Sequence, residues 1–388
     1  MMSDLSALYN ERIGRMVNAV EHKPNDRVPM LSLMETWALS YSKVTIPEVL
    51  ADPELEYKAY AKVFSEFKAD AALGIGLSAP IKFNNALGGA IMNTDTGTMQ
   101  IKTGHSEIML PEEYDQFIAN PVKFITNVIL PRKVEIFKSG STQEKFGKMG
   151  AAIGEMAKYG QQAGQHKERL KQEYGFPALY GTASLMPGDY FLDYLRDFKG
   201  TMSDVKRCPQ KLADACMAMV EPCIKSTLAM SPKPSDGSYL ALFLHLPQFL
   251  RPKEFERIYW PSFKAYIEFF AARGYKFLIM FEKNWSHLYE YLQELPKNCI
   301  LGLFEEDDLV VAKKAIGNTI CIGGGIKTND LYFKTPQECI DNVKKLVDEV
   351  APGGGFVFTT DKSLLSPTDA RPENYKAVTD YIAENTNY

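Results

Sequence analysis

The chain carries short, continuous apolar runs that alternate with stretches of helical periodicity. In its last third, several runs stop at a polar residue, as in YLALFLH at 239–245 and KFLIMFE at 276–282. Apolar strands alternating with helices are typical of βα units around a parallel sheet that is buried on both faces. Eight such strands are predicted, at residues 28–34, 70–77, 178–184, 239–245, 276–282, 299–305, 319–323 and 355–361. We therefore predict an α/β fold, a (β/α)8 TIM barrel.

The segment between the second and third predicted strands is too long for a simple connection. Structureless loops of this length are uncommon in compact domains, so residues 84–176 are expected to form a structured insertion. Residues 90–109 indicate a β-ribbon, and residues 132–174 indicate a polar helix at the surface. With an amphipathic N-terminal helix at 5–20, the chain is predicted to be one barrel domain over 1–388. Whether the insertion is a lid or a subunit interface stays open, as does a homodimer.

Composition excludes several classes of function. The net charge is −4 and the basic residues are scattered, which argues against a nucleic-acid partner. No apolar run approaches the roughly 20 residues that span a bilayer, and the N-terminus does not read as a secretory signal. The 6 cysteines have no dense spacing, which indicates a reducing compartment. We expect a soluble cytoplasmic protein without a membrane partner.

Chemistry-bearing residues lie near the ends of the predicted strands, and in such barrels the C-terminal strand ends line the active site. Taken singly, each of these residues has a purely structural explanation. His245 would be a hydrogen-bonded histidine of the core, Glu282 an ion-paired carboxylate at the rim of the barrel, and Cys321 a small buried apolar residue. Together they form a zinc-ligand set, because three protein ligands with one open position are the catalytic arrangement. Glu305 and Asp308 would be an alternative ligand, a partner of a ligand or a proton relay.

Aromatic and thioether residues also follow the predicted strands. An apolar, aromatic pocket with a few polar anchors suits a small planar organic ligand, although ordinary packing beneath the insertion is a competing explanation. The triple glycine at 323–325 has an alternative reading as a phosphate cradle, but it lacks the continuation of a P-loop. The candidate substrate-binding residues are Met34, Trp37, Met186, Phe249 and Trp285.

Several stretches resemble the uroporphyrinogen decarboxylase superfamily. They are ERIGRMVNAVEHKPNDRVP near the start and then, in the order seen in that superfamily, FEKNWSHLYEYLQELPK and DDLVVAKKAIGNTICIGGGI. The resemblance implies a (β/α)8 barrel. Porphyrinogen decarboxylation is not implied, because LSLMETWALSYS lacks the substrate-gripping arginines. The zinc ligands of methylcorrinoid:thiol methyltransferases are also missing, since Glu282 and Asp361 stand in the corresponding segments.

The segments that contain Glu282 and Cys321 resemble the corrinoid-dependent methyltransferase branch, which includes aromatic O-demethylases. This resemblance implies transfer of a methyl group from a methoxylated aromatic to the cobalt of a corrinoid (cobalamin) carried by a separate protein. It implies zinc held by His245, Glu282 and Cys321, with Glu305 or Asp308 as the acid that assists the leaving oxygen. Two alternatives stay open: a metal-free decarboxylase or lyase, and a non-catalytic corrinoid-binding paralogue.

Overall fold

The computed structural model describes residues 2–88, 92–93, 100–101 and 108–386, with side chains for 4–88 and 108–386. Eight of the described strands form two parallel sheets. One sheet has six strands in the order β3 to β8, and the other has two strands, β1 and β2. The strands are β1 (Leu31–Ser32), β2 (Ala71–Ala72), β3 (Tyr180–Ser184), β4 (Tyr239–Leu244), β5 (Phe277–Phe281), β6 (Ile300–Phe304), β7 (Cys321–Ile326) and β8 (Phe356–Thr360).

Single parallel bridges link the two sheets at both seams. Met30 bridges Phe358, and Ala72 bridges Ala178. The N–H of Phe358 donates to the carbonyl of Pro29, and the N–H of Ala72 donates to the carbonyl of Pro177, both at 2.9 Å. The two prolines have no N–H to continue a ladder, which fits the short pairing at these seams. The predicted α/β class and parallel strand order are confirmed, and every predicted strand overlaps an observed one.

Helices connect the strands on the outside. A pattern of apolar and polar faces is expected for helices that cover a buried sheet. The α-helices are α1 (Met2–Val20), α2 (Trp37–Ser42), α3 (Ile46–Ala51), α4 (Pro53–Glu66), α5 (Ile81–Ala86), α6 (Tyr114–Ala119), α7 (Pro121–Phe124), α8 (Leu130–Lys133), α9 (Thr142–Tyr174), α10 (Pro187–Tyr190), α11 (Asp197–Arg207), α12 (Pro209–Met230), α13 (Pro252–Glu254), α14 (Trp260–Ala271), α15 (Tyr289–Leu292), α16 (Leu309–Ile316), α17 (Thr328–Phe333), α18 (Pro336–Val350) and α19 (Pro372–Asn385). π-helical turns occur at Ile125–Ile129, Phe191–Leu195 and Phe255–Tyr259, and 3-10 turns at Pro111–Glu113, Glu135–Phe137, Pro247–Phe249 and Ser286–Leu288.

The described part of the segment between β2 and β3 is mostly helical, with α9 as its longest element. A capping box between Ser141 and Glu144 starts α9, and Gly175, with a left-handed φ of 55°, ends it. An antiparallel pair, Met92–Asn93 with Gln100–Ile101, falls within the ribbon predicted at 90–109. Ile108 and Met109, at the end of that prediction, instead donate their N–H groups to the Leu195 carbonyl, and the other residues of the ribbon lie outside the described residues.

The core has two parts, and their positions decide where a site can lie. A large apolar cluster fills the space between the sheet and the helices. A smaller cluster contains Leu278, Leu301 and Val357 from the strands together with Met16 and Val20 of α1. This packing closes the N-terminal ends of the strands and leaves the C-terminal ends as the place for chemistry. Within the described residues, no helix is long and apolar enough to cross a membrane.

Candidate functional site

Three polar residues stand in one row at the C-terminal ends of neighbouring strands. His245, Glu282 and Glu305 each follow the last residue of β4, β5 and β6. Leu244 pairs with Phe281, and Phe281 pairs with Phe304, so the residues that come next are also in register. Their side chains are 31%, 36% and 22% exposed. The sequence prediction that these residues converge on one end of the sheet agrees with this register.

Two carboxylates hold the imidazole of His245. Its Nδ1 lies 2.8 Å from Asp193 Oδ2, and its Nε2 lies 3.3 Å from Glu282 Oε1. Both ring nitrogens can donate only when the ring is an imidazolium ion. Burial lowers the pKa of His245, but the hydrogen bonds to Asp193 and Glu282 outweigh burial and raise the pKa to about 11. The site therefore contains a cation between two anions, and the side chains of His245 and Glu282 are partly open to solvent.

This arrangement predicts that His245 stays protonated between pH 6 and 9, a range over which free histidine (ordinary pKa near 6.5) loses its proton. Ring ¹⁵N chemical shifts measured by NMR across that range test it. The folded-state pKa is above the unfolded one, so the stability contributed by this group is complete below about pH 6.5 and is lost as the pH rises toward about 11. Asp193→Asn should lower the pKa, and a wild-type titration midpoint near 6.5 would contradict the geometry.

A buried carboxylate fixes the backbone that carries His245. Asp189 Oδ1 accepts hydrogen bonds from the N–H groups of His245 at 3.0 Å and Leu246 at 2.7 Å. Its Oδ2 accepts the hydroxyl of Tyr259 at 2.6 Å. Burial raises the pKa of Asp189 to about 7, while the charge of His245 opposes that rise. Asp189 therefore fixes the backbone at the end of β4 and, with it, the position of the His245 side chain.

Glu305 occupies the next position along the row. Its Oε2 accepts the N–H of Lys283 at 2.9 Å, and the Lys283 ammonium lies 3.6 Å from Oε1 and 2.9 Å from Glu306. Lys283 has a left-handed φ of 60°, a conformation that is uncommon outside glycine and often found beside functional sites. Burial raises the pKa of Asp361, which follows β8, and the charge of Glu305 contributes. Glu305 thus lies at the same end of the sheet, and its catalytic role stays a prediction.

The structure places Cys321 away from this row, which corrects the expectation that it joins His245 and Glu282. Cys321 is the first residue of β7 and pairs with Leu301, four positions before Glu305. At about 3.3 Å per residue, it lies roughly 13 Å toward the N-terminal end of the sheet. It is fully buried in the small core cluster with Met16, and burial raises the pKa of its thiol to about 12. The prediction was wrong because β7 runs three residues further than the pattern indicated.

The predicted zinc-ligand set does not fit together in this structure. His245 and Glu282 are neighbours, but the third donor is at the other end of the strands. Across the described part of the chain, no group of three or more His, Cys, Asp and Glu side chains is arranged to hold a metal ion. The phosphate-cradle alternative also fails, because Gly323 and Gly325 lie inside β7. An added Cβ would come within 2.4 Å of Leu303 at Gly323 and within 2.0 Å of the Thr359 carbonyl at Gly325, so close strand packing explains both glycines.

Asp308 has a structural partner that the sequence reading missed. Its Oδ1 accepts the N–H groups of Val310 at 2.9 Å and Val311 at 3.1 Å, which makes it the N-cap of α16. Substituting an N-cap typically costs about 1 kcal/mol of stability. Asp308 therefore caps α16 in this structure, and its role in acid catalysis stays a prediction.

The predicted aromatic pocket is mostly core packing. Trp285 is fully buried, and its Nε1 donates to the Glu282 carbonyl at 3.0 Å, so it supports the site from behind. Trp37 is buried with its Nε1 bonded to the Ala370 carbonyl at 3.0 Å. Met34 and Met186 are likewise buried. Of the five candidates, only Phe249 is exposed, with its ring edge-to-face against Phe198 at 4.9 Å.

Three candidate functional residues were not predicted from the sequence. Asp189 and Asp193 lie four residues apart after β3, a spacing that puts both on one helical face toward β4. That spacing was a usable signal, although it could not reveal which strand the carboxylates face. Glu35 follows β1 at the same end of the sheet, and burial raises its pKa. A single glutamate after an apolar run gave no distinguishing pattern.

The sequence profile of the uroporphyrinogen decarboxylase (URO-D) family matches residues 189–385. This is just over half of the 388 residues. The chain belongs to the uroporphyrinogen decarboxylase family. The matched region of this URO-D protein begins at Asp189 and includes Asp193, His245, Glu282 and Glu305. The resemblance inferred from the sequence is thereby confirmed at the level of the superfamily.

The fold of the URO-D protein has a solved counterpart. Its structure is similar to that of a methyltransferase from Methanosarcina mazei, with a TM-score of 0.63 over 96% of this chain and 98% of the other. The two sequences are 14% identical, so the likeness shows the shared fold alone. No curated protein sequence matches the chain.

Proposed function

We propose that this URO-D protein is a methyltransferase that moves the methyl group of a methoxylated aromatic to the cobalt of a corrinoid protein, at the mouth of a closed (β/α)8 barrel. The observation that carries the proposal is the Asp193–His245–Glu282 array at the C-terminal ends of β4 and β5. Membership of the URO-D family and the methyltransferase with the same fold support the choice of reaction class.

The chemical difficulty in an aryl methyl ether is its leaving group. In the transfer, the bond between the methyl carbon and the ether oxygen breaks, and its electron pair stays on oxygen. The reduced corrinoid cobalt, which is a substrate here, supplies the electron pair of the new carbon–cobalt bond. The oxygen becomes a phenolate unless it receives a proton, and a positioned acid lowers this barrier.

His245 has the properties that this acid needs. Its pKa near 11 is close to that of a phenol, about 10, so the ring stays protonated at neutral pH and shares its proton as negative charge grows on the oxygen. Asp193 orients the ring through Nδ1, and Glu282 faces Nε2. After transfer, the phenol leaves with the proton and the imidazole takes another from solvent. An imidazolium that is fixed before the reaction also stabilises the developing charge electrostatically.

No step of this mechanism is assigned to zinc. His245 and Glu282 are suitable donors, but Cys321 cannot reach them from the start of β7. Each step above uses the side chains that the structure brings together. The corrinoid partner and its docking at the mouth remain part of the proposal, as does a homodimer.

The proposal is tested by incubating the protein with cob(I)alamin and a panel of methoxylated aromatics and following methylcobalamin by its absorbance. We expect methylcobalamin and the matching phenol in equal amounts. Release of carbon dioxide from a carboxylated aromatic without corrinoid would instead favour a decarboxylase. Cobalamin binding without turnover of any methyl donor would favour a non-catalytic paralogue.

A further inference from the structure

The loop that carries Glu282 is held by the segment that follows β6. Lys283, the next residue in this loop, has a left-handed φ of 60°, a conformation that needs support from its surroundings. The N–H of Glu305 donates to the Phe281 carbonyl, and the N–H of Glu306 donates to the Lys283 carbonyl, both at 3.3 Å. These bonds fix the backbone on both sides of Glu282.

A buried carboxylate in the same segment holds the end of this loop. Asp307 is 8% exposed, and its Oδ1 and Oδ2 accept the backbone N–H of Trp285 at 3.0 and 3.1 Å. Its Oδ1 also accepts the hydroxyl of Tyr289 at 2.5 Å. The Trp285 indole in turn donates from Nε1 to the Glu282 carbonyl at 3.0 Å. A chain of hydrogen bonds therefore runs from Asp307 through Trp285 to the backbone of Glu282.

Trp285 can transmit a position because its side chain is tightly packed. It is fully buried, and its ring lies edge-to-face against Phe281 at 4.8 Å and Phe255 at 6.0 Å. Close packing of this kind holds a side chain in one rotamer. With its backbone N–H also bonded, the indole N–H has a fixed location beneath Glu282. A shift of Trp285 would move the Glu282 carbonyl and, with it, the carboxylate that lies 3.3 Å from His245 Nε2.

The end of β4 has the same arrangement. There Asp189 accepts two backbone N–H groups and the hydroxyl of Tyr259. Asp307 likewise accepts a backbone N–H and the hydroxyl of Tyr289. Two neighbouring strand ends of the site are therefore each fixed by a buried aspartate with a tyrosine partner. The contact between the imidazole and the Glu282 carboxylate depends on both supports, because a site keeps its geometry only when the residues around it are themselves held.

We propose that Asp307 is a positioning residue for methyl transfer, which acts through Trp285 to hold Glu282 in place against His245. This deepens the proposed function, on which it rests. Glu282 and Asp193 together fix the imidazolium, so a displaced Glu282 changes where the proton of the ring lies relative to the leaving oxygen. A misplacement of about 1 Å can lower a rate by about 100-fold. A purely structural role for Asp307 would instead lower stability and leave kcat unchanged.

Steady-state methyl transfer from a methoxyarene to cob(I)alamin tests this inference in the full-length protein. Asp307→Ala removes both acceptor oxygens and should lower kcat about 10- to 100-fold, while KM changes by less than about threefold. Asp307→Asn keeps an acceptor oxygen for the Trp285 N–H and should restore kcat to within about threefold of wild type. Asp307→Glu keeps the carboxylate but displaces it by one methylene, so it should lower kcat about 10-fold and decides the question if Asp307→Ala does not fold.

Two further variants separate positioning from general destabilisation. Tyr289→Phe is the matched control, because it removes the other hydrogen bond to Asp307 without breaking the chain to Glu282, and it should keep kcat within about twofold of wild type. Trp285→Phe removes the indole N–H and should lower kcat about as much as Asp307→Ala. Because both changes break one chain, the double variant should lose no more than about threefold beyond either single variant.

A measurement that needs no turnover keeps this inference apart from the proposed function. Hydrogen exchange of the tryptophan indole N–H groups, followed by ¹H–¹⁵N NMR, should be at least about tenfold faster for Trp285 in Asp307→Ala than in wild type. The Trp37 indole, which donates to the Ala370 carbonyl at 3.0 Å, is the internal control and should exchange at the wild-type rate.

The inference would be overturned by unchanged kcat in a folded Asp307→Ala or in Asp307→Glu, or by an equal loss of kcat in Tyr289→Phe. Multiplying losses in the double variant, or unchanged exchange of the Trp285 indole, would also overturn it. No methyl transfer by the wild type, with faster Trp285 exchange in Asp307→Ala, would refute only the proposed function. Methyl transfer that is insensitive to Asp307 would refute only the positioning role.

Discussion

Replacing His245 with alanine is expected to lower kcat for methyl transfer by about 10²–10⁴-fold, the usual contribution of a positioned general acid. The structure holds the imidazolium between the carboxylates of Asp193 and Glu282, at the ends of β4 and β5. Without it, the phenolate leaves without a proton and Asp193 and Glu282 face each other unpaired. Single-turnover formation of methylcobalamin, followed by stopped-flow absorbance, measures the effect separately from substrate binding.

Two further variants make this prediction specific. Glu282→Gln should cost less, about 10- to 100-fold, because the amide keeps the shape but removes one charge that sustains the imidazolium. Cys321→Ser is the matched control, since it changes the third predicted ligand at the opposite end of the strands. It should retain activity and metal content within about twofold of wild type. Equal losses of activity in Cys321→Ser and His245→Ala would support a metal site that both residues share, and would contradict the separation of the two residues in the structure.

Replacing Asp189 with alanine is expected to destabilise the protein by on the order of 3–5 kcal/mol. The change leaves the N–H groups of His245 and Leu246 and the hydroxyl of Tyr259 buried without an acceptor, and each such group costs about 1–3 kcal/mol. Denaturant unfolding followed by circular dichroism measures it. Asp189→Asn, which keeps an acceptor oxygen in place, should cost much less, and equal destabilisation by both variants would show that volume, not hydrogen bonding, matters.

The same residue predicts a pH dependence of stability. Burial raises the pKa of Asp189 to about 7 from an ordinary value of 3.8, so the folded state keeps its proton where the unfolded chain has lost it. The contribution of this group to stability therefore falls as the pH rises from about 4 to about 7. Asp189→Asn should remove this component of the slope. An unchanged slope in the variant would assign the pH dependence to other groups.

Much of the fold could be predicted from sequence because its strands are buried on both faces. Continuous apolar runs mark such strands, and the polar residue after β4, β5 and β6 marks where each strand leaves the core. Parallel register then brings His245, Glu282 and Glu305 together without any long-range information. The weak pairing of β1 and β2, two residues each, was not visible in runs that looked equally apolar.

The site was harder to predict than the fold, because the positions of its other residues depend on tertiary structure. Cys321 looked like a strand end because the glycines after it resemble a loop, whereas in the fold they are packed inside β7 against Leu303 and Thr359. Asp189 and Asp193 could be recognised as site residues only from the fold, because it packs the helical segment after β3 beside the end of β4. Trp285 looked like a pocket residue, yet its indole bonds the backbone of Glu282 from behind. The extent of β7 decided the first case, and the packing of side chains between neighbouring elements decided the other two.

The most direct test of the central claim follows a ¹³C label placed in the methoxy group of the substrate. In a single turnover with cob(I)alamin, we predict one ¹³C-methyl–cobalt resonance for each phenol released by the wild-type protein. Within the time that the wild type needs for this turnover, His245→Ala should give at most about 1% of that signal. A label that stays on oxygen in the wild type across the panel of methoxyarenes would contradict the account, as would methylcobalamin formed equally well without His245.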